Sequence, residues 1–257
     1  MDADALLAAV RRKFDGTLGA EEHAWLTHDI AAIYVTAKKT ESDRVKLLSD
    51  AVKWRLKKRA LLSSCDCPSC LENALSHDAR IFGVDPDGDV VFCNCFALPR
   101  ELSPQSIAEH MACLFERALH QFPASPPAVR RWTWVIDMHG FGIKHTDPRT
   151  SIELLHLLDC AFPERLKLML IVDAPAVFSV LWTVVKPLMQ AKTVAKIEFV
   201  TWEDAPNRYE ECFGEAVARR LSAEGTENRD PEAVKTKRWT TFYASDDLVA
   251  SPVAQNG

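Results

Sequence analysis

Residues 166–187 read LKLMLIVDAPAVFSVLWTVVKP, and this stretch decides the fold class. Its residues 168–172 are continuously apolar, which is typical of a strand that is covered on both faces. Residues 176–186 are apolar at helical spacing. Pro187 predicts that this helix ends or kinks there, because proline lacks an amide hydrogen and disfavours helical geometry in the residue before it. A buried strand followed by a helix predicts one unit of a mainly parallel sheet.

The same alternation of strand and helix continues on both sides of this stretch. Two further helices are predicted near the N-terminus, at residues 22–37 and 44–58. We therefore expect an α/β fold in which helices cover a mainly parallel sheet, preceded by an N-terminal helical module. The expected divisions are the helical module at 1–62, the α/β domain at 63–224 and a polar tail at 225–257. The strands are predicted at residues 90–96, 131–138, 166–172 and 195–201, and the remaining helices at residues 103–122, 149–160, 176–190 and 207–223.

The composition excludes several classes of protein. The chain has 257 residues, with 31 Lys and Arg against 36 Asp and Glu, and 47% of its residues are hydrophobic, which is an ordinary globular balance. Without a long basic block, dedicated binding of duplex DNA is excluded, because neutralising phosphates requires clustered cations. The longest uncharged stretch, residues 174–185, is well short of the ~20 residues that span a bilayer, and the N-terminus does not resemble a signal peptide. We expect a cytoplasmic protein whose eight cysteines are reduced.

Common catalytic signatures are missing from the sequence, namely the G-x-S-x-G elbow, the P-loop and H-E-x-x-H. His139 stands near Asp137 as half of a catalytic pair would, but no nucleophile motif accompanies it, so a structural role is the better interpretation. Residues 85–89 read DPDGD, where the glycine falls too early for a calcium-binding loop and predicts a β-turn instead. We expect a protein that is not an enzyme and that needs no cofactor.

Cysteines cluster at Cys65, Cys67 and Cys70, and again at Cys93 and Cys95. Thiolates bind Zn²⁺, but C-x-C is not the usual spacing of a zinc site and the second pair lacks C-x-x-C spacing. Cys93 and Cys95 would also share one face of a strand, where small apolar side chains simply pack. We predict no metal site, and the role of the first three cysteines stays open.

The helix predicted at residues 176–190 is apolar on both of its faces. An outer helix of a sheet protein normally shows one polar face, so two apolar faces suggest that one packs on the protein and the other meets a hydrophobic ligand or a membrane. A buried core helix is the alternative that the pattern leaves open. One predicted stripe consists of Val177, Val180, Leu181 and Val184, and the opposite one of Phe178, Trp182 and Val185.

Several separated motifs occur in a consistent order and spacing. They are AKK at 37–39 with WR at 54–55, DMHG at 137–140, FPERL at 162–166, IVDAP at 171–175, KP at 186–187 after the apolar helix, and TVAKI at 193–197. Together they resemble the signature of the CRAL-TRIO lipid-binding domain. That family includes phosphatidylinositol/phosphatidylcholine transfer proteins, cellular retinaldehyde-binding protein and the α-tocopherol transfer protein.

The resemblance implies a deep acyl-chain pocket behind a mobile gate, which would be the apolar helix. In phosphoinositide-binding members, the headgroup is held by a basic residue of the N-terminal module, the Glu of P-E-R, and the Thr and Lys of T-V-x-K-I. The matching positions here are Lys38, Glu164, Thr193 and Lys196. These residues can supply the cations and hydroxyl donors that an inositol phosphate needs. The chain departs from the family pattern at Lys38, where Arg is usual, and at Asp173, where Asn is usual.

We expect the chain to bind one phospholipid, by preference phosphatidylinositol, and to transfer or present it at membranes that it contacts transiently. A carrier of a non-phospholipid such as a retinoid or tocopherol is one alternative, and a lipid-free interaction module that uses the aromatic residues at 239–243 is another. Residues 53–59 contain five basic side chains, which form either a solvated helix face or a docking site for an anionic leaflet. The sequence points to no nucleic acid and to no particular protein partner.

Overall fold

The structure of the chain, a computed structural model, describes residues 1–38, 40–63, 79–97, 103–121 and 131–236. The cysteine cluster at Cys65, Cys67 and Cys70 and the aromatic residues at 239–243 lie outside these ranges. The structure therefore does not bear on the predictions made for those residues.

Helices of the N-terminal module pack around a shared apolar core. The helix predicted at residues 22–37 is interrupted, because Thr27 adopts an extended conformation and its Oγ1 accepts a hydrogen bond from the Ile30 amide at 3.3 Å. Thr27 therefore caps a new helix instead of continuing the old one. The helices of the module are α1 (Ala3–Lys13), α2 (Ala20–Trp25), α3 (His28–Ala37) and α4 (Glu41–Ser63).

The described part of the α/β domain contains a five-stranded sheet in the order β1-β2-β3-β4-β5. β1 pairs with β2 in the antiparallel direction, and every later pair is parallel, which confirms the predicted α/β fold with a mainly parallel sheet. The sequence analysis predicted no strand before residue 90 and so missed β1, a short edge strand whose register shifts next to Gly83. The strands are β1 (Ala79–Val84), β2 (Val90–Cys95), β3 (Trp132–Asp137), β4 (Leu166–Val172) and β5 (Ile197–Val200).

Helices connect and follow the strands, with two differences from the prediction. The apolar helix expected at residues 176–190 ends at Val185. Pro187 lies in the 3₁₀ turn Lys186–Leu188 that follows, because a proline has no amide hydrogen with which to continue the α-helix. The last long helix continues to Arg229, through the polar segment that was expected to break it. These helices are α5 (Pro104–Gln121), α6 (Pro148–Ala161), α7 (Phe178–Val185), α8 (Ala191–Val194), α9 (Ala205–Arg229) and α10 (Pro231–Thr236), with a second 3₁₀ turn at Ile143–His145.

The two faces of the sheet pack differently. On one face, α9 covers a continuous core that includes Val91, Leu170 and Phe213. The predicted packing of Cys93 holds, since its thiol lies in this core. On the other face, α5 and α6 pack against a core centred on Trp132, but they leave the carboxyl half of the sheet open to a cavity.

The basic stretch at residues 53–59 is largely paired with acids, although Lys53, Lys57 and Arg59 are exposed, in agreement with a solvated helix face. Arg55 is buried and donates to both carboxylate oxygens of Glu116 on α5. The other pairs in this stretch are Lys53 with Asp50, Lys58 with Glu109, and Arg59 with Glu22. The pairs of Arg55, Lys58 and Arg59 join α4 to neighbouring helices, whereas the Lys53 pair lies within α4, and this pairing disfavours a docking site for an anionic leaflet.

Residues 85–89 form the predicted turn, in which the Gly88 amide donates to Asp85 O at 2.9 Å. Lys167 of β4 donates to the carboxylates of Asp85 and Asp87 at 2.6 and 2.7 Å, and its Nζ lies 3.1 Å from Asp89. An ammonium group therefore lies among the three carboxylates, which tie the turn to the sheet.

Candidate functional site

An apolar cavity of about 430 Å³ lies between the sheet and the helices on its open face. This volume falls within the ~300–1,000 Å³ that is typical of ligand pockets. We call it the apolar cavity. The sheet contributes Asn94, Trp134, Ile136, Met169 and Ile171, the helices α5 and α6 contribute Ile107, Met111, Thr150, Ser151, Leu154, Leu155 and Leu158, and the loop after β3 contributes Phe141, Lys144, His145 and Asp147.

The apolar helix α7 closes one side of this cavity, with Phe178, Leu181, Trp182 and Val185 in the cavity wall. Leu181 and Val185 are buried, and they pack with Met138, Phe141 and Ile171. Leu181 was predicted to share a stripe with Val180 and Val184, but it lies on the inner side of the helix. Both sides of the helix are still apolar, but Leu181 belongs to the inner side and not to the side of Val180 and Val184.

The outer side of α7 is apolar and exposed. Val180 is 61% exposed and Val184 48%, and Leu188 of the following 3₁₀ turn is 54% exposed. Phe199 of β5, which is 50% exposed, contacts the Trp182 ring with the centroids 5.3 Å apart. A helix with one side on an internal cavity and the other side apolar in solvent is not a core helix, so the structure disfavours that alternative.

The segment that leads into α7 is held by one arginine. Arg229, in the last turn of α9, donates to both carboxylate oxygens of the buried Asp137 at 2.7 and 2.9 Å. It lies 3.5 Å from the carboxylate of Asp173, which has a positive φ of 59°, and its guanidinium stacks on Trp202 at 3.6 Å. These contacts give Asp137 a structural role, and its carboxylate also accepts from the His139 amide.

A second, smaller pocket of about 50 Å³ adjoins the apolar cavity near the amino end of β4. All four predicted headgroup residues lie in its wall, although they come from four separate parts of the chain. Lys38 follows α3, Glu164 lies in the turn before β4 with a φ of 60°, Thr193 belongs to α8, and Lys196 precedes β5. We call this the charged pocket.

The described residues that line the charged pocket include four basic side chains and two acidic ones. Lys196 donates from Nζ to Leu166 O at 2.6 Å, and partial burial lowers its pKa, with Glu164 acting in the opposite direction. Glu164 forms an ion pair with Lys192. Partial burial also raises the pKa of Asp159, against the opposing influence of Lys38 and Lys192.

Three ionisable residues of the charged pocket were not predicted from the sequence, namely Lys192, Arg165 and Asp159. Arg165 follows Glu164 within the FPERL motif, and Lys192 directly precedes Thr193 at the start of the TVAKI motif. These two motifs were therefore the available signal for both residues. Asp159 had no such signal, because only the docking of α6 beside α8 brings it to this wall. The pocket can accept an anion through its lysines while its carboxylates accept from hydroxyl groups.

The two cavities adjoin each other, since Thr193 and four apolar residues line both. The charged residues therefore lie directly beside the apolar space. The shared apolar residues are Leu155, Leu158, Leu166 and Met189. Within the ranges that the structure describes, no helix is both long enough and apolar enough to span a bilayer.

Comparison with known proteins gives a consistent set of similarities. A family model described as the CRAL/TRIO domain matches residues 79–215. The phosphatidylinositol/phosphatidylcholine transfer protein SFH4 of Arabidopsis thaliana is 25% identical over 181 residues, which cover 64% of this chain and 30% of that protein. The CRAL-TRIO domain-containing protein T23G5.2 of Caenorhabditis elegans is 30% identical over 71 residues, which cover 26% of this chain and 10% of that protein.

The chain therefore matches less than a third of the length of either relative. Among solved structures, the crystal structure of Sfh5 superposes on this one with a TM-score of 0.62. The superposition covers 83% of this chain and 87% of the other at 17% sequence identity, so the likeness is one of fold.

Proposed function

We propose, since the chain belongs to the CRAL/TRIO domain family, that it binds one phospholipid and carries or presents it at membranes. Phosphatidylinositol is the proposed ligand, and no covalent bond is made or broken. The Arabidopsis relative is named a phosphatidylinositol/phosphatidylcholine transfer protein, which agrees with this proposal.

The observation that supports the proposal most directly is the junction of the two cavities. Lys38, Glu164, Thr193 and Lys196 line a pocket that adjoins an apolar cavity, and this juxtaposition suits an anionic headgroup with acyl chains. Lys196 has three N–H bonds and uses one on Leu166 O, so two can reach a phosphate oxygen. The neighbouring carboxylate of Glu164 can accept from inositol hydroxyl groups or orient a lysine.

Burial of the acyl chains would offset what the lipid loses when it leaves the bilayer. Exposure of a methylene group to water costs about 0.8 kcal/mol, and a chain that moves from a bilayer to the apolar cavity avoids most of this cost. The chains discriminate poorly between headgroups, because they are common to all phospholipids. Selection among phospholipids therefore falls to the charged pocket.

We propose α7 as the gate through which the lipid enters. Its inner residues contact the cavity and its outer residues are exposed, so an outward movement of α7 would open the cavity toward a bilayer. The helix lies between a 3₁₀ turn with Pro187 and the segment that begins at Asp173. The exposed Val180 and Val184 would contact the membrane transiently, as expected of a cytoplasmic protein that associates with membranes only peripherally.

A carrier of a non-phospholipid remains the second candidate, because the apolar cavity would also fit a retinoid or a tocopherol. For such a ligand the charged pocket would be incidental. The lipid-free interaction module is disfavoured by the volume of the apolar cavity, since a filled core would leave no such space.

Identification of the bound lipid tests these candidates together. The purified full chain is extracted with organic solvent, and the extract is analysed by mass spectrometry against a protein of similar size prepared in the same way. We expect phosphatidylinositol in an amount close to one molecule per chain. A retinoid or tocopherol in its place would support the second candidate, and an extract without lipid would contradict both.

A further inference from the structure

Asn94 is a polar residue in an otherwise apolar part of the cavity wall. It lies on β2, two residues after the buried Phe92 on the same face of the sheet, and it is half-buried against the apolar cavity. Its neighbours in this wall include Trp134, Ile136 and Met111. A side-chain amide in such surroundings is unfavourable unless its hydrogen-bonding groups are used.

The orientation of the Asn94 amide follows from its one partner. Trp134 Nε1 lies 2.8 Å from Asn94 Oδ1, and an indole nitrogen is only ever a donor, so the accepting atom must be the oxygen. The two N–H bonds of Asn94 Nδ2 therefore find no acceptor among the described residues. The amide is held in place by a buried tryptophan and presents donors to the cavity.

His145 places a second donor in the same region of the wall. Its ring contacts Phe96, two residues beyond Asn94, with the centroids 5.1 Å apart. His145 Nδ1 accepts from the Gly142 amide at 3.0 Å, so the neutral ring has its proton on Nε2. Burial lowers the pKa of His145 and favours this neutral form. Nε2 is buried and has no hydrogen-bond partner within the described part of the chain.

This donor region is distant from the charged pocket. In the register of the sheet, Asn94 lies opposite Ile136 and Ile171, whereas Leu166 in the wall of the charged pocket lies opposite Trp132. The two points differ by four residues along the strands and by two strand spacings. With ~3.3 Å per residue and ~4.8 Å between strands, the separation is roughly 16 Å. A phospholipid whose headgroup occupies the charged pocket would therefore bring the distal part of an acyl chain, not its ester, to Asn94.

We propose that Asn94 makes the apolar cavity selective for an oxygenated acyl chain, through a hydrogen bond from Asn94 Nδ2 to a keto, hydroxy or epoxy oxygen in the distal part of the chain. The inference rests on the proposed function and adds a second point of recognition to it. The acceptor is a neutral oxygen, because an ionised group among these apolar residues would be costly to desolvate. A plain hydrocarbon chain would leave the amide donors unsatisfied.

A competition experiment with lipid pairs tests the proposal. Vesicles contain equal amounts of two phosphatidylinositols that differ only by one keto group in the distal half of an acyl chain. The full chain is incubated with them and re-isolated, and the bound lipids are extracted and counted by mass spectrometry. We expect the keto lipid to be enriched about three- to tenfold, as for one neutral hydrogen bond. A pair with the keto group next to the ester should be bound equally.

Variants of the chain test whether Asn94 causes the enrichment of the keto lipid. Asn94→Leu alone leaves the Trp134 indole without an acceptor, so the double variant Asn94→Leu/Trp134→Phe removes both partners and protects the fold. We expect it to bind both lipids equally, whereas Lys235→Ala, a change of an exposed residue on α10 outside both pockets, keeps the enrichment. Equal binding by the unaltered chain, or enrichment that persists in the double variant, overturns the proposal but leaves the proposed function intact. Recovery of no phospholipid by the unaltered chain overturns both.

Discussion

Lys196 has a contact in the fold and a position that suits the proposed headgroup site. Its ammonium donates to the Leu166 carbonyl, which fixes the lysine beside β4, and its partial burial places the charge where an anionic group would be poorly hydrated. Hydrogen bonds to charged groups are stronger in such surroundings than in water. The lysine is therefore positioned before any ligand arrives.

We expect Lys196→Ala to weaken binding of phosphatidylinositol about tenfold, because one charge-assisted hydrogen bond is lost, with little effect on phosphatidylcholine. The measurement is the ratio of the two lipids that the purified variant takes from mixed vesicles. The control is Lys235→Ala, which removes an exposed lysine of α10 and should leave the ratio unchanged. An equal loss for both lipids would contradict the headgroup assignment.

Asp159 gives the charged pocket a dependence on pH. Because its pKa is raised, its carboxyl group takes up a proton at a higher pH than an ordinary aspartate does, and one negative charge then disappears from the wall. The proportion of phosphatidylinositol among the bound lipids should therefore rise about two- to fivefold as the pH falls from neutrality into the acidic range in which Asp159 takes up its proton. Asp159→Asn should show the higher proportion throughout and a flatter profile. A profile unchanged by this substitution would show that Asp159 does not cause the effect.

The residues of the site could be predicted only where a motif contains them. Glu164, Thr193 and Lys196 belong to short motifs that a single chain displays, and the structure brings them together with Lys38. From the sequence alone, Asp159 is an ordinary polar position of a predicted helix. Asn94 is one polar position in a strand, and only the geometry around Trp134 separates it from a surface residue.

At the scale of the element, the proposed role of α7 depends on the way its apolar residues divide between the inner and the outer side of the helix. The sequence established that both sides are apolar, but it grouped Leu181 with Val180 and Val184, which the structure contradicts. The reason is that the helix begins at Phe178 and ends at Val185, so its short length and its packing against Met138 and Phe141 set the rotation. Periodicity alone does not determine the rotation of a helix that is apolar all round.

We expect Val184→Asp to slow transfer of every phospholipid about five- to tenfold, because a charge on the exposed side of α7 opposes its entry into the membrane interface. Val184 is exposed, so the variant should fold normally. The measurement is the rate of transfer between vesicles, and Val184→Thr, which keeps the shape without the charge, is the matched control. A normal rate in a folded Val184→Asp variant would remove α7 from the transfer mechanism.

At the scale of the whole molecule, the N-terminal module is joined to the α/β domain by buried contacts. Arg55 and Glu116 form a buried ion pair between α4 and α5, and Arg55 also stacks on Trp25 at 4.3 Å. The Tyr34 hydroxyl donates to Cys160 O at 2.9 Å, at the end of α6. The module is therefore packed as a part of the same folded body and not attached by a linker alone.

We expect Glu116→Ala to lower the free energy of unfolding by about 3–5 kcal/mol, because it leaves the Arg55 guanidinium buried and unpaired. Thermal and urea unfolding should still occur in one transition. Glu109→Ala, which breaks the more exposed pair with Lys58, is the control and should cost less than about 1 kcal/mol. Equal effects of the two substitutions would show that the buried pair does not hold the module in place.

The overall architecture could be predicted because strand and helix patterns alternate strongly from residue 90 onward. β1 was missed because Ala79–Val84 contains Gly83 and the charged Arg80, which leave it without a clear strand pattern. The continuation of α9 was missed because residues 224–230 are polar and look like a loop. In the structure, the small Gly225 lets the helix approach the Trp202 ring, where a Cβ atom would lie only 2.5 Å from it.

The contact between Arg229 and Asp137 has a practical consequence for anyone who shortens this chain. An expression clone that stopped at residue 224, where the polar segment suggests a natural boundary, would keep every strand and still delete the counterion of a buried carboxylate. Asp137 would then be left buried without its counterion, at a cost of several kcal/mol. Truncations that retain Arg229 should give stable protein, and those that end a few residues earlier should precipitate or degrade.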